Sequence, residues 1–261
     1  MLVGKPGSIR IVTWNINRGL ELRKIIDFLE GAKADFVLLQ ESDVNARRTH
    51  RLNIAREISQ KLEMNYVFGR EFQELTQGSR TSPAYHGQAT LSRWRLSAAR
   101  ILRFQRQSNF WRPHWFLPLV APLQERLGGR LALVVEANVA GKVLITYNLH
   151  LESRGDDSLR CAQLGETLDD ARRYDATVPV VLAGDFNLDV SEGQGAEALR
   201  QSEFQDAFVS QHVSTTPDSF LERGRLIDWI LARGPAQFSE PKVYRSVKAS
   251  DHYPLAVTLN L

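Results

Sequence analysis

Val178-Pro-Val-Val-Leu-Ala-Gly-Asp-Phe-Asn187 is the stretch on which the reading of this chain turns. The apolar run from Val178 to Ala183 reads as a strand buried on both faces. If the chain stays extended, Asp185 and Asn187 project to one side and Phe186 to the other, into a core. A hydrophobic strand thus delivers a carboxylate and a carboxamide to its own C-terminal end, where open α/β sheets place their ligands. Gly, Asp and Asn are also ordinary turn residues. Taken alone, the stretch fits a loop exit as well as a site, and the other strand ends decide between them.

Those ends repeat the pattern. Apolar strands finish on Asn15, Glu41, His150, Asp185 with Asn187, Asp228, and Asp251 with His252. Asn148 and His150 share the two-residue spacing of Asp185 and Asn187. Acids do not converge in a protein without something positive between them, and a divalent cation is the economical candidate. Carboxylate and carboxamide oxygens without a thiolate suit Mg²⁺ or Mn²⁺. Hydrolysis at phosphorus needs an oriented water and donors for the developing charge. Asp185 can orient or deprotonate water. Asn187, His150 and His252 can hold phosphoryl oxygens, and a carboxylate such as Asp228 can fix the tautomer of a histidine.

Around these ends the chain alternates strands and helices. Ile9 to Ile16 and Asp35 to Glu41 read as strands, separated by a helix with Leu22, Ile25, Ile26 and Leu29 at helical spacing and a stop at Gly31. Leu52, Ala55, Ile58 and Leu62 mark a second amphipathic helix. Tyr66–Phe72, His86–Ser92 and Arg93–Phe104 are further strand candidates. Arg130–Val139 and Lys142–Leu149 form a hairpin around Ala140-Gly141. Asp156, Asp157 or Ser158 can cap a helix running to about Arg173, and a short helix follows near Ala196 to Arg200. Leu226–Ala232, Lys242–Ser246 and Tyr253–Leu261 complete the strands. The expected architecture is one α/β domain over residues 1–261, with two packed sheets and helices outside.

Composition agrees with a globular chain of this kind: 261 residues, 43% hydrophobic and 24% charged. A net charge of +3 and a pI near 9.1 permit an anionic substrate. Cys161 is the single cysteine, which rules out an intrachain disulfide. The opening Met-Leu-Val-Gly-Lys-Pro-Gly offers no apolar leader, and the longest apolar run, Trp115 to Leu123, is broken by Pro118 and Pro122. A cytoplasmic monomer without a transmembrane segment is the expectation.

Seven motifs now stand in order: Thr-Trp-Asn (13–15), Leu-Gln-Glu (39–41), His-Gly-Gln-Ala-Thr-Leu-Ser (86–92), Asn-Leu-His-Leu-Glu-Ser (148–153), Gly-Asp-Phe-Asn (184–187), Ile-Asp-Trp-Ile (227–230) and Ser-Asp-His-Tyr-Pro (250–254). Together they resemble the endonuclease/exonuclease/phosphatase (DNase I-like) superfamily across nearly the whole chain. The resemblance implies a four-layer α/β sandwich and a Mg²⁺- or Mn²⁺-dependent phosphoric ester hydrolase. It implies Glu41 as the principal metal ligand with Asn15 beside it and Asp251 near the metal. Asp185 would activate water, Asn187 would hold it or a phosphoryl oxygen, and His252, oriented by Asp228, would contact the phosphate. His150 would stabilise the transition state from the opposite side. The Asn-x-His pattern is similar to the branch holding DNase I, sphingomyelinases, deadenylases and tyrosyl-DNA phosphodiesterases. His-Leu-Glu-Ser with Arg160 and Gln163 resembles the last of these, although they carry Thr where Phe186 stands.

The segment 105–129 is aromatic and basic rather than linker-like. Phe110, Trp111, Trp115 and Phe116 interleave with Arg106 and Arg112. This fits base stacking beside phosphate contacts, a lipid wedge, or a plain cover over the sheet. Asn148, Arg154, Trp111 and Arg112 are accordingly the substrate-binding candidates. Nucleic acid is the favoured partner. A sphingomyelinase-like lipid hydrolase, or a phosphatase of inositol or sugar phosphates, is the alternative. Trp14 and Trp229 are read as core, His86 as structural or as a support behind the site rather than catalytic, and His50, His114 and His212 as surface residues.

Overall fold

The computed structural model describes residues 8–118, 124–209, 211, 213–218 and 223–261. The readings made on 1–7, on 119–123 and on His212 lie outside these residues. In chain order come β1 (Ser8–Arg18), α1 (Leu22–Ala32), β2 (Phe36–Val44), α2 (Ile54–Leu62), β3 (Asn65–Glu74), β4 (Ala84–Ser92) and β5 (Leu96–Arg103). The aromatic segment then returns through β6 (Arg126–Gly128) to the hairpin of β7 (Leu131–Val139) and β8 (Lys142–His150). α3 (Asp157–Ala171), β9 (Val180–Asp185), α4 (Gly193–Arg200), β10 (Gln205–Asp206), β11 (Asp228–Arg233), β12 (Gln237–Val243) and β13 (Leu255–Asn260) follow.

These strands build a seven-stranded sheet, β12-β13-β1-β2-β4-β3-β6, and a six-stranded sheet, β10-β11-β9-β8-β7-β5. Each sheet is mixed: β1 with β2 and β8 with β9 pair in parallel, and the remaining pairs are antiparallel. Strand alternation sends Ile9, Ile11, Phe36 and Leu38 of one sheet against Leu144, Val181, Ala183 and Ile230 of the other. The opposite faces are covered by helices. α1 and α2 bury Ile25, Leu29, Ile54 and Ile58 on Trp14, Val37 and Leu39. α3 and α4 cover Tyr147, Leu182 and Trp229 on the other side. The result is a four-layer α/β sandwich. Each such fully buried Leu, Ile or Phe contributes about 1.5–3 kcal/mol, so three apolar interfaces hold the two sheets and their strand ends in register.

Local chemistry matches the sequence with small shifts. Asn53 caps α2 by accepting from the Arg56 N–H, and Asp156 caps α3 by accepting from Leu159. The β7–β8 turn uses Ala140 and Gly141, both at positive φ. α1 runs through Gly31 and stops at Lys33, which adopts the left-handed conformation instead. The strand expected over 242–246 lies earlier, at Gln237–Val243, because it pairs with β13 through a bulge between Ser239 and Lys242.

Gly184 carries a backbone requirement. Its φ is +146°, and a Cβ there would lie 2.0 Å from the carbonyl oxygen of Leu149 on the paired strand. Gly184→Ala is expected to destabilise the fold by about 3 kcal/mol or more, combining left-handed strain with a main-chain clash. Equilibrium denaturation would measure it; a loss below about 1 kcal/mol would mean that β8 and β9 can separate without cost.

Candidate active site

The C-terminal ends of β1, β2, β8 and β9, the start of β11 and the loop before β13 meet at one edge of the inter-sheet space. The backbone is irregular where they meet. Register shifts break the β1–β2 pairing between Asn15 and Arg18 and the β2–β4 pairing between Leu39 and Ser42. Asn17, Arg18, Glu41 and Asn187 all have positive φ. Glu41 therefore sits on a bulge inside β2 rather than at the end of a strand, and the bulge re-aims its side chain.

Asp185 is the hub. Its Oδ2 accepts from Asn15 Nδ2 at 3.1 Å, and its Oδ1 accepts from the backbone N–H of Asn187 at 2.9 Å. His150 Nε2 lies 3.6 Å and His252 Nε2 3.7 Å from Oδ2. One buried carboxylate oxygen is thus flanked by two imidazoles and an amide. Asn187 does not reach this point by strand alternation, as the sequence suggests. It turns into the left-handed region, and its Nδ2 donates to the Leu151 carbonyl at 3.2 Å.

The two imidazoles have different partners. His252 Nδ1 lies 2.9 Å from Asp228 Oδ2 and 3.1 Å from Oδ1. Asp228 is itself fixed by Thr215, whose hydroxyl donates to it at 2.7 Å and accepts from the Ile227 and Asp228 N–H groups. Burial alone would lower the His252 pKa. The charges of Asp228 and Asp185, the Asp228 hydrogen bond and the charge of Asp251 outweigh it and push the ring up to about 10. On the other side, His150 Nδ1 lies 2.8 Å from Arg130 Nη1 and 3.4 Å from Glu71 Oε2. Burial acts to raise the Glu71 pKa, but the His150 imidazole and the Arg130 guanidinium beside it hold it below the usual carboxylate range.

Glu41 is the residue open to a cation; Asn15 is buried, its Oδ1 accepting from the Asn17 N–H at 3.1 Å while its Nδ2 donates to Asp185. Burial opposes ionisation of Glu41, yet His86, His150, Arg18 and Arg126 together hold its carboxyl far below the usual carboxylate range. No described residue donates a hydrogen bond to it. A half-buried, ionised carboxylate without a hydrogen-bond donor is suited to a hard divalent cation, so Glu41 fits the ion. Asp185, Asp228 and His252 also bring ligand atoms within 4.8 Å of one another. There, however, Asp228 and His252 are already committed to each other. Asp251 is exposed next to this region, its carboxylate accepting from Ser250 Oγ at 3.1 Å. A second acidic group, Asp43, Glu74 and His86, is filled by Arg48, which reaches Asp43 at 2.7 Å and Glu74 at 3.2 Å.

Two substrate-binding candidates are corrected. Asn148 does share a strand face with His150, but one pleat deeper. Its Nδ2 donates to the Leu39 and Ala89 carbonyls and its Oδ1 accepts from Gln40, so it bolts the sheets together. Trp111 is only 6% exposed, and its indole N–H is held by the Glu152 carboxylate at 2.9 Å. It is not an open stacking face. Arg112 and Arg154 are exposed, and the Arg154 guanidinium lies 4.6 Å from the ring centroid of Phe110. Trp14, Trp229 and His86 are buried as expected. Arg130, Glu71 and Thr215 were missed. Arg130 stands just before the apolar strand β7; Glu71, in the largely polar β3, and Thr215, in a loop, carry no comparable signal.

The sequence profile of the endonuclease/exonuclease/phosphatase family matches residues 12–252, and the chain belongs to that family. Comparison with curated proteins gives no match. Among solved structures, the endonuclease/exonuclease/phosphatase from Beutenbergia cavernae DSM 12333 is 20% identical, with a TM-score of 0.72 over 97% of this chain and 72% of that one. The Bacteroides vulgatus endonuclease/exonuclease/phosphatase is 17% identical, with a TM-score of 0.71 over 97% and 99%. TDP2 from D. rerio, solved in complex with a single-strand DNA product, is 17% identical, with a TM-score of 0.67 over 97% and 99%. At these identities the likeness is one of fold. Among the described residues no helix is long and apolar enough to cross a membrane.

Proposed function

We propose that this chain is a Mg²⁺- or Mn²⁺-dependent phosphodiesterase that hydrolyses nucleic acid, or a phospho-adduct of it, by attack of water on phosphorus. The observation that carries the reading is the environment of Asp185, whose Oδ2 lies 3.6 and 3.7 Å from two imidazole nitrogens and accepts from Asn15. Glu41 and Asn15, with Asp251 nearby, would hold the ion, which supplies electrostatic relief for negative charge on the phosphoryl oxygens. Asp185 orients the water and takes its proton. His252, charged through Asp228, donates to a phosphoryl oxygen. His150 donates from the facing side, and Asn187 holds the water or a phosphoryl oxygen.

Nucleic acid is favoured by Phe110, Trp115 and Phe116, which are exposed beside Arg112 and Arg154. The relative from D. rerio, crystallised with a single-strand DNA product, supports the same substrate class. One observation favours a second reading, a sphingomyelinase-like lipid hydrolase: Trp115 is 95% and Phe116 64% exposed, the pattern of an interfacial wedge. The test is one panel of purified protein against single- and double-stranded DNA, RNA, a model diester, sphingomyelin vesicles and inositol phosphates, each with Mn²⁺ and with chelator. Chelator-sensitive cleavage of nucleic acid or the diester is expected. Turnover that survives chelation would sink the metal-assisted mechanism. Vesicle hydrolysis lost on W115S/F116S would move the substrate to lipid.

A further inference from the structure

His150 has two candidate partners at Nδ1, and their chemistry is opposite. Glu71 can only accept a proton, whereas a guanidinium can only donate one. At 2.8 Å from Arg130 Nη1, against 3.4 Å from Glu71 Oε2, Nδ1 has to offer a lone pair. An Nδ1–H would set N–H against N–H at that distance. The ring proton therefore belongs on Nε2, the nitrogen 3.6 Å from Asp185 Oδ2.

Arg130 is itself firmly placed. It is 2% exposed, Nη2 donates to Ser153 Oγ at 3.0 Å, and Nη1 reaches both Glu71 oxygens at 3.4 Å. The guanidinium carbon lies 5.3 Å from the Phe72 ring centroid and 5.9 Å from that of Trp111. Glu152 fixes the Trp111 indole, so the buried part of the aromatic segment presses the guanidinium toward the histidine. We propose that Arg130 is the positioning residue for His150: by donating to Nδ1 it keeps the ring proton on Nε2, directed into the site. The catalytic consequence rests on the hydrolytic reading above; the tautomer does not. His150 then serves as a donor to the phosphoryl group, and uptake of the water's proton falls to Asp185.

The test uses ¹⁵N-labelled, metal-free protein and the long-range ¹H–¹⁵N correlations of His150, assigned by their loss in His150→Gln. The unmodified chain is expected to give the Nε2–H pattern. In Arg130→Met the proton should move to Nδ1, toward Glu71. The kcat should then fall about 10–100-fold, as for loss of other outer-shell partners, with KM nearly unchanged. Arg130→Lys keeps a donor and should restore both the Nε2–H pattern and most of kcat. Glu71→Gln should keep the Nε2–H pattern. An Nδ1–H pattern in the unmodified chain would overturn the assignment, and that spectrum suffices if Arg130→Met does not fold. A folded Arg130→Met that retains Nε2–H would overturn it too. Absence of any metal-dependent hydrolysis would defeat the proposed function, while these spectra would still decide the tautomer.

Discussion

Replacing Asp185 by asparagine is expected to lower kcat by roughly 10²–10⁴-fold, the range attributed to a positioned general base. The substitution keeps size and shape but removes both charge and basicity. It also creates a mismatch. Both carboxylate oxygens accept now, one from Asn15 Nδ2 and one from the Asn187 N–H. An asparagine offers a single acceptor, so its amide must face one of these donors, at a cost of about 1–3 kcal/mol. The protein should fold with a modestly lower Tm. Its KM should stay level or fall, because a negative charge facing an anionic phosphoester is gone. A collapse of kcat without a rise in KM separates a chemical role from a binding one. Steady-state hydrolysis of a model diester with Mn²⁺ measures the split, and a variant retaining more than about a tenth of kcat would remove Asp185 from the chemistry.

Asp228→Asn should act through His252 instead. The ring is pushed up to about 10, with Asp228 the foremost of the charges that raise it. A histidine raised in this way contributes stability in full below its unfolded value of about 6.5, and the contribution is lost as pH rises through its folded value. With the carboxylate gone, the folded pKa should fall back toward 6.5. An alkaline limb of kcat governed by this ring is expected near pH 10 in the parent and should move down toward 6.5 in the variant. At pH 8 the variant would hold a neutral imidazole where the parent holds a cation, and kcat should drop about 100-fold. Breaking a buried ion pair costs about 3–5 kcal/mol. The lower end applies here, because His252 can release its proton and the new amide oxygen can still accept from Nδ1. The His252 ring shifts across pH 5–11, followed beside kcat, test this. An unmoved alkaline limb would show that Asp228 does not set the charge of His252.

Much of this site can be read from the sequence, for a physical reason. Asp185, His150, Asp228 and His252 lie at or beside the ends of apolar strands or in short motifs, so a pattern local to each stretch marks them. What escapes such a reading is depth and partnership. Asn148 and His150 occupy the same strand face, and only the packing of the second sheet decides that one of them is sealed under Leu39 and Ala89. Trp111 resembles its exposed neighbours Trp115 and Phe116 in sequence, but Glu152, forty-one residues away, draws it into the protein. Arg130 and Glu71 meet His150 only through tertiary packing. Two packed sheets with helices outside were legible because helical and strand periodicities differ; the four-layer sandwich itself came with the family resemblance. The bulge at Glu41 was not, because an extra residue in a strand leaves no mark in an apolar pattern.

The two deepest tryptophans bear on how such a site moves. Trp14 Nε1 donates to the His252 carbonyl at 2.9 Å, and Trp229 Nε1 donates to the Leu188 carbonyl at 3.0 Å. Each indole is rooted between a sheet and its helices, in a different apolar layer, and each holds a loop that carries side chains of the candidate site. Those loops cannot lift away without uprooting a core side chain or abandoning a buried hydrogen bond. Main-chain opening at the strand ends is thereby coupled to the most cooperative units of the molecule rather than to its surface. In the reaction proposed above, the main chain at the strand ends would serve as a rigid floor, and side-chain rather than main-chain movement would accompany turnover.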